Sequence, residues 1–81
     1  MSPAIVVTGA GSGIGRASAR AFIAAGWQVT LMGRREAALI ETAAGHPARI
    51  LPCDVRDQGS VATAFAEIPR LDVLFNNAGI S

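Results

Sequence analysis

The chain has 81 residues, 51% of them hydrophobic and 16% charged, a balance that favours one small packed domain over a disordered segment. It has no uncharged apolar run of about 20 residues and no basic-then-apolar leader, so we expect neither a membrane span nor a signal peptide. The net charge is +1, and the single cysteine, Cys53, cannot form an internal disulfide, so we expect a cytoplasmic protein.

The charge is unevenly distributed along the chain. Residues 1–35 carry four arginines and no carboxylate, giving +4, whereas residues 36–81 carry six carboxylates and three arginines, giving −3. A basic N-terminal half could attract nucleic acid as well as a phosphorylated ligand. There is, however, no basic helix with interleaved aromatic residues, and the chain has only one Trp and three Phe. We therefore do not expect nucleic-acid binding.

Apolar runs and helix-period segments alternate from the N-terminus onward. In chain order, they predict a strand at 5–8, a helix at 13–25, a strand at 28–32, a helix at 35–44, a strand at 48–53, a helix that begins after Asp57 and ends before Pro69, and a strand at 71–75. Strands alternating with helices predict right-handed crossovers and a parallel sheet, which makes this an α/β chain.

The helix predictions depend on apolar spacing and on residues that begin or end helices. In the first helix, the predicted apolar stripe consists of Ile14, Ala17, Ala21 and Ala25. Gly26 and Gly45 are predicted C-terminal stops, and Asp57 is a predicted N-cap. In the third helix, Val61, Phe65 and Ile68 recur at spacings of four and three.

The most informative segment is T-G-A-G-S-G-I-G at residues 8–15, between the first strand and the first helix. The N-terminus of a helix presents unpaired N–H groups and the positive end of the helix dipole, so it can hold a phosphate. Glycines let the backbone approach the ligand closely because no Cβ intervenes. The alternative interpretation is a turn that only joins the strand to the helix.

Together with two later motifs, this octapeptide resembles the short-chain dehydrogenase/reductase family. It matches the family's T-G-x-x-x-G-x-G, N-N-A-G occurs at residues 76–79, and Asp54-Val55 follows a predicted strand as in that family. The three matches lie in family order and span nearly the whole chain. Members of that family transfer a hydride between a nicotinamide cofactor and a carbonyl or alcohol carbon.

The resemblance also implies a fold. Residues 1–81 would form the dinucleotide-binding βαβαβαβ half of a Rossmann-like, doubly wound sheet with strand order 3-2-1-4 and no second domain. The first two helices would cover one face and the third helix the other, and the fourth strand would be left as an unpaired edge. Because family members are roughly three times longer, we expect this fold to be incomplete and the isolated chain to associate or to be partly unfolded.

The resemblance assigns cofactor contacts to three segments. Turn residues would approach the pyrophosphate, Asp54 and Val55 would contact the adenine, and the N-N-A-G segment would lie against the adenosine ribose. The residues concerned are Gly9, Ser12, Gly13, Ile14, Gly15, Asp54, Val55, Asn76, Ala78 and Gly79. Thr8 would tie the turn to neighbouring backbone. Simple alternatives are an Asp that orders a loop and asparagines that terminate a strand.

The end of the second strand indicates which nicotinamide cofactor fits. An acid at that position would bond the ribose hydroxyls and repel a 2′-phosphate. Gly33 occupies the position, and Arg34 and Arg35 follow it, so we predict NADP(H) rather than NAD(H). Ser12 lacks the family's other basic marker, and two solvated arginines opening a helix are the alternative. Arg16 could also reach the 2′-phosphate, but we favour an exposed surface position for Arg16 and Arg20.

The catalytic residues of the family have no counterpart here. The chain contains no tyrosine, and all seven of its basic residues are arginines, so Y-x-x-x-K cannot be present. We assign no catalytic residue, no metal ligand and no substrate pocket, and we expect these 81 residues alone to be inactive. The function predicted is the NADP(H)-binding part of a homo-oligomeric oxidoreductase that acts on a carbonyl or alcohol. The alternative is a non-catalytic nucleotide-binding module, free-standing or completed by another chain.

Overall fold

A computed structural model of the chain describes residues 2–11, 13–54 and 56–76, and for Asn76 only the backbone. Strands and helices alternate in the predicted order, with ends that differ slightly from the predicted ones. They are β1 (Ala4–Thr8), α1 (Gly13–Ala24), β2 (Gln28–Gly33), α2 (Glu36–Ala43), β3 (Arg49–Pro52), α3 (Gln58–Ala66) and β4 (Val73–Asn76). No helix within these described ranges is long and apolar enough to cross a membrane.

All four strands lie in one parallel sheet with the order β3-β2-β1-β4, which confirms the predicted Rossmann-like topology. β1 is fully buried and pairs on both sides, so that Val7 is opposite Leu31 of β2 and Phe75 of β4. Since every crossover returns the chain in the same direction, the carboxyl ends of all four strands lie along one edge of the sheet.

α1 and α2 pack against one face of the sheet. The largest core cluster joins both helices to side chains of β1 and β2, and its buried members are Ile5, Val7, Ala10, Ala19, Val29, Leu31, Leu39 and Ala43. Phe22 and Trp27 extend it with an edge-to-face ring contact at 4.8 Å between centroids. This face therefore carries most of the apolar burial that holds the sheet together.

The predicted apolar stripe of α1 is wrong. Ile14, Ala17, Ala21 and Ala25 are exposed, and Ile14 has 65% of its surface accessible. The helix instead buries the stripe displaced by one residue, on which Gly15 and Ala19 are buried and Phe22 and Ile23 are half-buried. Small residues on this stripe allow the helix to approach the sheet, and its larger residues contribute more apolar area than alanines.

α3 covers the opposite face, as the family topology implied. Ala64 is buried against a second cluster, to which the sheet contributes Val6, Met32 and Leu51. One helix on this face against two on the other leaves β4 poorly covered. Leu71, Val73 and Leu74 remain 41%, 41% and 47% exposed. Association of the isolated chain stays a prediction.

The predicted capping and stop residues lie at the helix ends, as expected for Asp57, Gly26 and Gly45. The Asp57 carboxylate caps α3 by accepting from the N–H groups of Gly59 and Ser60 at 3.0 and 3.3 Å. Gly26 follows α1 with a φ of 86°, and α2 ends on Ala44 at φ 50° followed by Gly45 at φ 83°. The glycine predicted to stop α2 thus shares the left-handed turn with an alanine.

Asp72 fastens the start of β4 to the start of β1. Its Oδ2 accepts from the Ala4 N–H at 2.8 Å, and its own N–H donates to the Ala4 carbonyl at 2.9 Å. Arg70 pairs with the same carboxylate, with 3.2 Å between Nε and Oδ2. The Ala4 N–H first, and Arg70 with it, lower the pKa of Asp72 below the ordinary value for an aspartate, against an opposing effect of desolvation.

This lowered pKa predicts how stability depends on pH. A carboxyl whose pKa is lower in the folded state stabilises the fold above its unfolded pKa of about 3.9, and that stabilisation is lost as the pH falls through the folded pKa. We expect Asp72→Asn to lower the urea midpoint at pH 7, with the difference from wild type shrinking toward zero as the pH falls through the folded pKa of Asp72. Urea melts across this range measure it, and a constant difference at every pH would contradict the charge-based explanation.

Candidate functional site

The candidate site lies along the carboxyl edge of the sheet. There β1 leads into the glycine turn, β2 into Arg34, β3 into Asp54, and β4 ends at Asn76. The strand order reverses between β1 and β4, because the chain builds outward from β1 to β3 and then returns to the other side of β1. In open parallel sheets, ligands bind in the crevice at such a reversal.

Two glycines give the turn a backbone geometry that other residues rarely adopt. Gly9 and Gly13 have φ values of 63° and 58°, in the left-handed region that favours glycine. α1 begins at Gly13, Gly15 is buried against the sheet, and Ile14 points into solvent. The turn is tied to β2 by the Ala10 N–H, which donates to the Met32 carbonyl at 3.1 Å.

On its other side, the turn is held by α1 and α2. Arg16 donates to the Gly11 carbonyl at 2.6 Å, and the buried Thr42 hydroxyl lies 2.7 Å from the Ala10 carbonyl oxygen. A Cβ added to Gly11 would lie 3.0 Å from the Cβ of Ala38, so α2 also sets the packing distance. The prediction that Arg16 is simply exposed at the surface is wrong, because its guanidinium is engaged by this turn and by α2.

The end of β2 presents two exposed arginines. In the described parts of the chain, neither Arg34 nor Arg35 has a hydrogen-bond or ion-pair partner for its guanidinium. Arg35 is also the N-cap of α2, and its side chain makes no capping hydrogen bond. The first N–H groups of that helix therefore remain available to donate to a ligand. A Cβ added to Gly33 would meet the Leu39 side chain at 3.1 Å. Positive groups and free donors thus gather at the position predicted to select the cofactor.

Asp54 lies at the end of β3 and orders the following loop. Its carboxylate accepts from the Arg56 backbone N–H at 3.0 Å and from the Arg56 guanidinium at 3.2 and 3.3 Å. These hydrogen bonds lower the pKa of Asp54, and the nearby positive charge of Arg34 lowers it further. The structure therefore brings Asp54 and Arg34 close enough for their charges to interact. The adenine contact predicted for Asp54 stays a prediction.

Thr8 reaches across to β4, where its Oγ1 donates to the Phe75 carbonyl at 3.4 Å, which confirms that it ties the turn region to neighbouring backbone. Ser12, Val55, Ala78 and Gly79 lie outside the described residues, and for Asn76 only its place at the end of β4 is given. Cys53 is buried in the second core cluster. Among residues 2–11, 13–54 and 56–76, no three His, Cys, Asp or Glu side chains group as metal ligands.

Three residues at this site were not found by sequence reasoning. Thr42 and Arg56 act through hydrogen bonds to the turn and to Asp54, and Gly11 acts through its close approach to α2. In a sequence, a threonine within a short helix is usually interpreted as a surface residue. No local pattern around Thr42 therefore indicates that it is buried against the turn. Arg56 could have been found, because an Asp two residues before an Arg in a predicted loop is within bonding reach.

The fold and the site define a class of protein, namely a parallel α/β chain with a glycine turn at the strand reversal. A family sequence model described as short chain dehydrogenase matches residues 3–81. The chain belongs to the short-chain dehydrogenase/reductase family.

Individual relatives agree with this assignment. The chain is 43% identical over 89 residues to sulfoacetaldehyde reductase 2 of Chromohalobacter salexigens, covering 100% of this chain and 35% of that protein. A solved short chain dehydrogenase/reductase family protein superposes with a TM-score of 0.88 at 44% identity, over 96% of this chain and 34% of that one. The closed form of serine dehydrogenase complexed with NADP+ superposes with a TM-score of 0.80 at 31% identity, over 88% of this chain and 31% of that one. The chain thus spans about a third of the length of these relatives.

The left-handed turn predicts a specific cost for a side chain at Gly13. No heavy atom of the described residues lies within 4 Å of an added Cβ, so strain rather than collision decides the outcome. We expect Gly13→Ala to lower the free energy of unfolding by about 1–2 kcal/mol, the cost of left-handed backbone for an L-residue. The matched control is Gly59→Ala within α3, expected to be neutral or to stabilise by up to about 1 kcal/mol. Equal urea midpoints for the two variants would contradict this explanation.

Proposed function

We propose that this chain is the NADP(H)-binding part of an oxidoreductase that transfers a hydride between the nicotinamide and a carbonyl or alcohol carbon. Membership of the family supports the hydride chemistry. A sulfoacetaldehyde reductase among the relatives supports an aldehyde or ketone as substrate, and a serine dehydrogenase complexed with NADP+ supports the phosphorylated cofactor. The proposal includes a homo-oligomeric protein in the cytoplasm.

The observation that carries the cofactor preference is a pair of arginines at the end of β2 whose guanidinium groups have no partner among the described residues. Arg34 and Arg35 are exposed, Gly33 offers no acid, and the N-terminal N–H groups of α2 lack a side-chain cap. A 2′-phosphate there would meet positive charge, whereas the ribose hydroxyls of NAD(H) would find no carboxylate from this strand. One charge-assisted hydrogen bond contributes about 1.5–3 kcal/mol, which corresponds to roughly a ten- to hundredfold preference.

Changing the sign of one charge tests this preference. We expect Arg34→Asp to weaken NADPH binding roughly ten- to a hundredfold and to move the ratio of NADPH to NADH affinities toward NADH. The matched control is Arg49→Asp, which makes the same charge change at the exposed start of β3, remote from the carboxyl edge. Fluorescence titration with both cofactors gives the ratio. If the ratio stays the same in Arg34→Asp, or changes equally in the control, Arg34 is not part of the cofactor site.

The remaining contacts of the proposed site follow the family's arrangement. Gly9, Gly13, Ile14 and Gly15 would bring backbone close to the pyrophosphate, with Ser12 beside them. Asp54 and Val55 would face the adenine, where Asp54 would share its oxygens with Arg56. Asn76, Ala78 and Gly79 would lie against the ribose. The positions of Gly9, Gly13 and Asp54 along one sheet edge support this arrangement.

The absence of tyrosine and lysine from these 81 residues supports a second candidate, a non-catalytic nucleotide-binding module. Proton transfer to a carbonyl oxygen needs a positioned acid, and the family's tyrosine and lysine have no counterpart here. Under both candidates, the 81 residues bind the cofactor without reducing a substrate. The two differ in whether a polypeptide that includes this chain has turnover.

Steady-state assays separate these candidates. We expect the 81-residue chain, its intact mass verified, to oxidise no NADPH above the buffer rate with short aldehydes and ketones, because it holds no proton donor of the required kind. A full-length family member assayed in parallel shows that the substrates and cofactor are competent. Turnover by the verified 81-residue chain would contradict the assignment of no catalytic residue. Turnover by the full-length gene product would favour the enzyme over the module.

A further inference from the structure

We propose that Arg16 and Thr42 are positioning residues for the pyrophosphate turn. They draw the carbonyl oxygens of Ala10 and Gly11 toward α1 and α2, so that these oxygens are kept away from the anionic ligand. This inference rests on the proposed cofactor function and adds to it a second arginine with a role different from that of Arg34. It assigns Arg16 to the protein backbone and not to a phosphate.

Arg16 makes several polar contacts to the glycine turn and to α2. Its NH2 group donates to the Gly11 carbonyl at 2.6 Å, and its Nε donates to the Thr42 hydroxyl at 3.0 Å. The same NH2 group also donates to the Ala38 carbonyl at 3.4 Å, and NH1 lies 3.4 Å from Glu41 Oε1. With only 25% of its side chain exposed, Arg16 is committed to these partners, and its planar fork holds several of them in a fixed geometry.

Thr42 extends this contact to a second carbonyl. It is completely buried, and its Oγ1 lies 2.7 Å from the Ala10 carbonyl and 3.0 Å from the carbonyl of Ala38. Since Arg16 donates to this hydroxyl, the single hydroxyl proton is free to go to a carbonyl, and Ala10 is the nearer acceptor. A relay of this kind, from Arg16 through Thr42 to Ala10, strengthens each of its hydrogen bonds.

The electrostatic effect of these bonds favours an anion at the turn. A carbonyl oxygen beside a phosphate is repulsive, whereas N–H groups at a helix N-terminus are attractive. Arg16 of α1 and Thr42 of α2 satisfy two consecutive carbonyls of the turn, and a Cβ added to Gly11 would lie only 3.0 Å from that of Ala38. The turn therefore cannot reverse these peptide groups without breaking one buried and one partly buried hydrogen bond, which is costly where no water replaces the lost partner.

α2 also connects the two proposed phosphate positions. Its first turn follows Arg34 and Arg35 and contains Ala38, which lies against Gly11. Thr42 lies about one turn later and contacts the Ala10 carbonyl. An eight-residue helix is about 12 Å long and nearly rigid on this scale. The Arg16–Thr42 contact therefore fixes the glycine turn to the helix that directly follows the two arginines proposed to bind the 2′-phosphate.

Arg20 provides a matched control within the same helix pair. It lies one turn after Arg16 on α1 and also donates to α2, through Nε to the Thr42 carbonyl at 3.1 Å and through NH2 to the Glu41 carbonyl at 3.0 Å. These are carbonyls of α2 and not of the glycine turn. Removing Arg20 therefore weakens the docking of α1 against α2 and leaves the turn carbonyls bonded.

The experiment compares Arg16→Met with Arg20→Met in the full-length gene product, using three ligands. NADPH occupies both phosphate positions, ADP has only the pyrophosphate, and adenosine 2′-monophosphate has only the 2′-phosphate. We expect Arg16→Met to weaken NADPH and ADP about tenfold. Adenosine 2′-monophosphate should bind within about twofold of wild type, and Arg20→Met should change all three ligands by no more than about twofold.

Thr42 variants supply a second test that does not depend on removing a charge. Thr42→Val should weaken NADPH and ADP in the same pattern, because it deletes the hydroxyl at nearly constant volume. Thr42→Ser, which retains the hydroxyl, should restore both affinities. Arg16→Gln keeps one NH2 group as a donor and should give an intermediate loss, which provides a folded variant if Arg16→Met does not fold.

The outcomes separate this inference from the proposal on which it rests. Equal losses in Arg16→Met and Arg20→Met, or a parallel loss of adenosine 2′-monophosphate, would overturn the inference and leave the cofactor proposal standing. A failure of Thr42→Ser to restore binding would do the same. If the wild-type protein binds none of the three ligands, the cofactor proposal itself is wrong and the inference falls with it.

Discussion

Parallel pairing of β1 on both of its sides is the constraint on which the rest of this structure depends. It requires a crossover after every strand, and each crossover here includes a helix. It also brings four strand ends to one edge, where the glycine turn, the two arginines and Asp54 meet although they are far apart in sequence. The candidate site thus follows from the topology, and individual side chains only refine it.

The two edges of the sheet differ in how they face solvent. On β3, the exposed residues Arg49 and Pro52 discourage pairing with another strand, since one is charged and the other has no N–H to donate. On β4, the exposed residues are Val73 and Leu74, which carry no such protection. The β3 edge thus has residues that are compatible with exposure to solvent. β4 instead has the apolar composition of a strand that is buried on both faces.

The sequence was sufficient to predict the order of the elements, because the apolar runs and the capping residues are local signals. Asp57 shows this directly, since it was expected to cap α3 and does. The buried stripe of α1 could not be predicted in the same way. An alanine-rich helix has two apolar stripes one residue apart, and only packing against the sheet selects the one that contains Gly15 and Phe22.

The same distinction between local and long-range signals applies to the candidate site. The glycines and the arginines after β2 are local patterns, and the structure brings them to the same edge of the sheet. Arg16 was misassigned to the surface because its partner Thr42 lies 26 residues away, and no local pattern links the two. A contact across that separation becomes visible only once α1 and α2 are packed side by side.

The four arginines of the N-terminal half therefore divide into two pairs with different physical roles. Arg16 and Arg20 are satisfied by carbonyl oxygens of the turn and of α2, whereas Arg34 and Arg35 have no such partners in the described chain. A guanidinium bonded to several backbone oxygens gives up those bonds if it turns to a ligand, whereas a solvated one gives up only water. The positive charge of Arg16 and Arg20 thus contributes to the fold. The positive charge of Arg34 and Arg35 remains available to an anion.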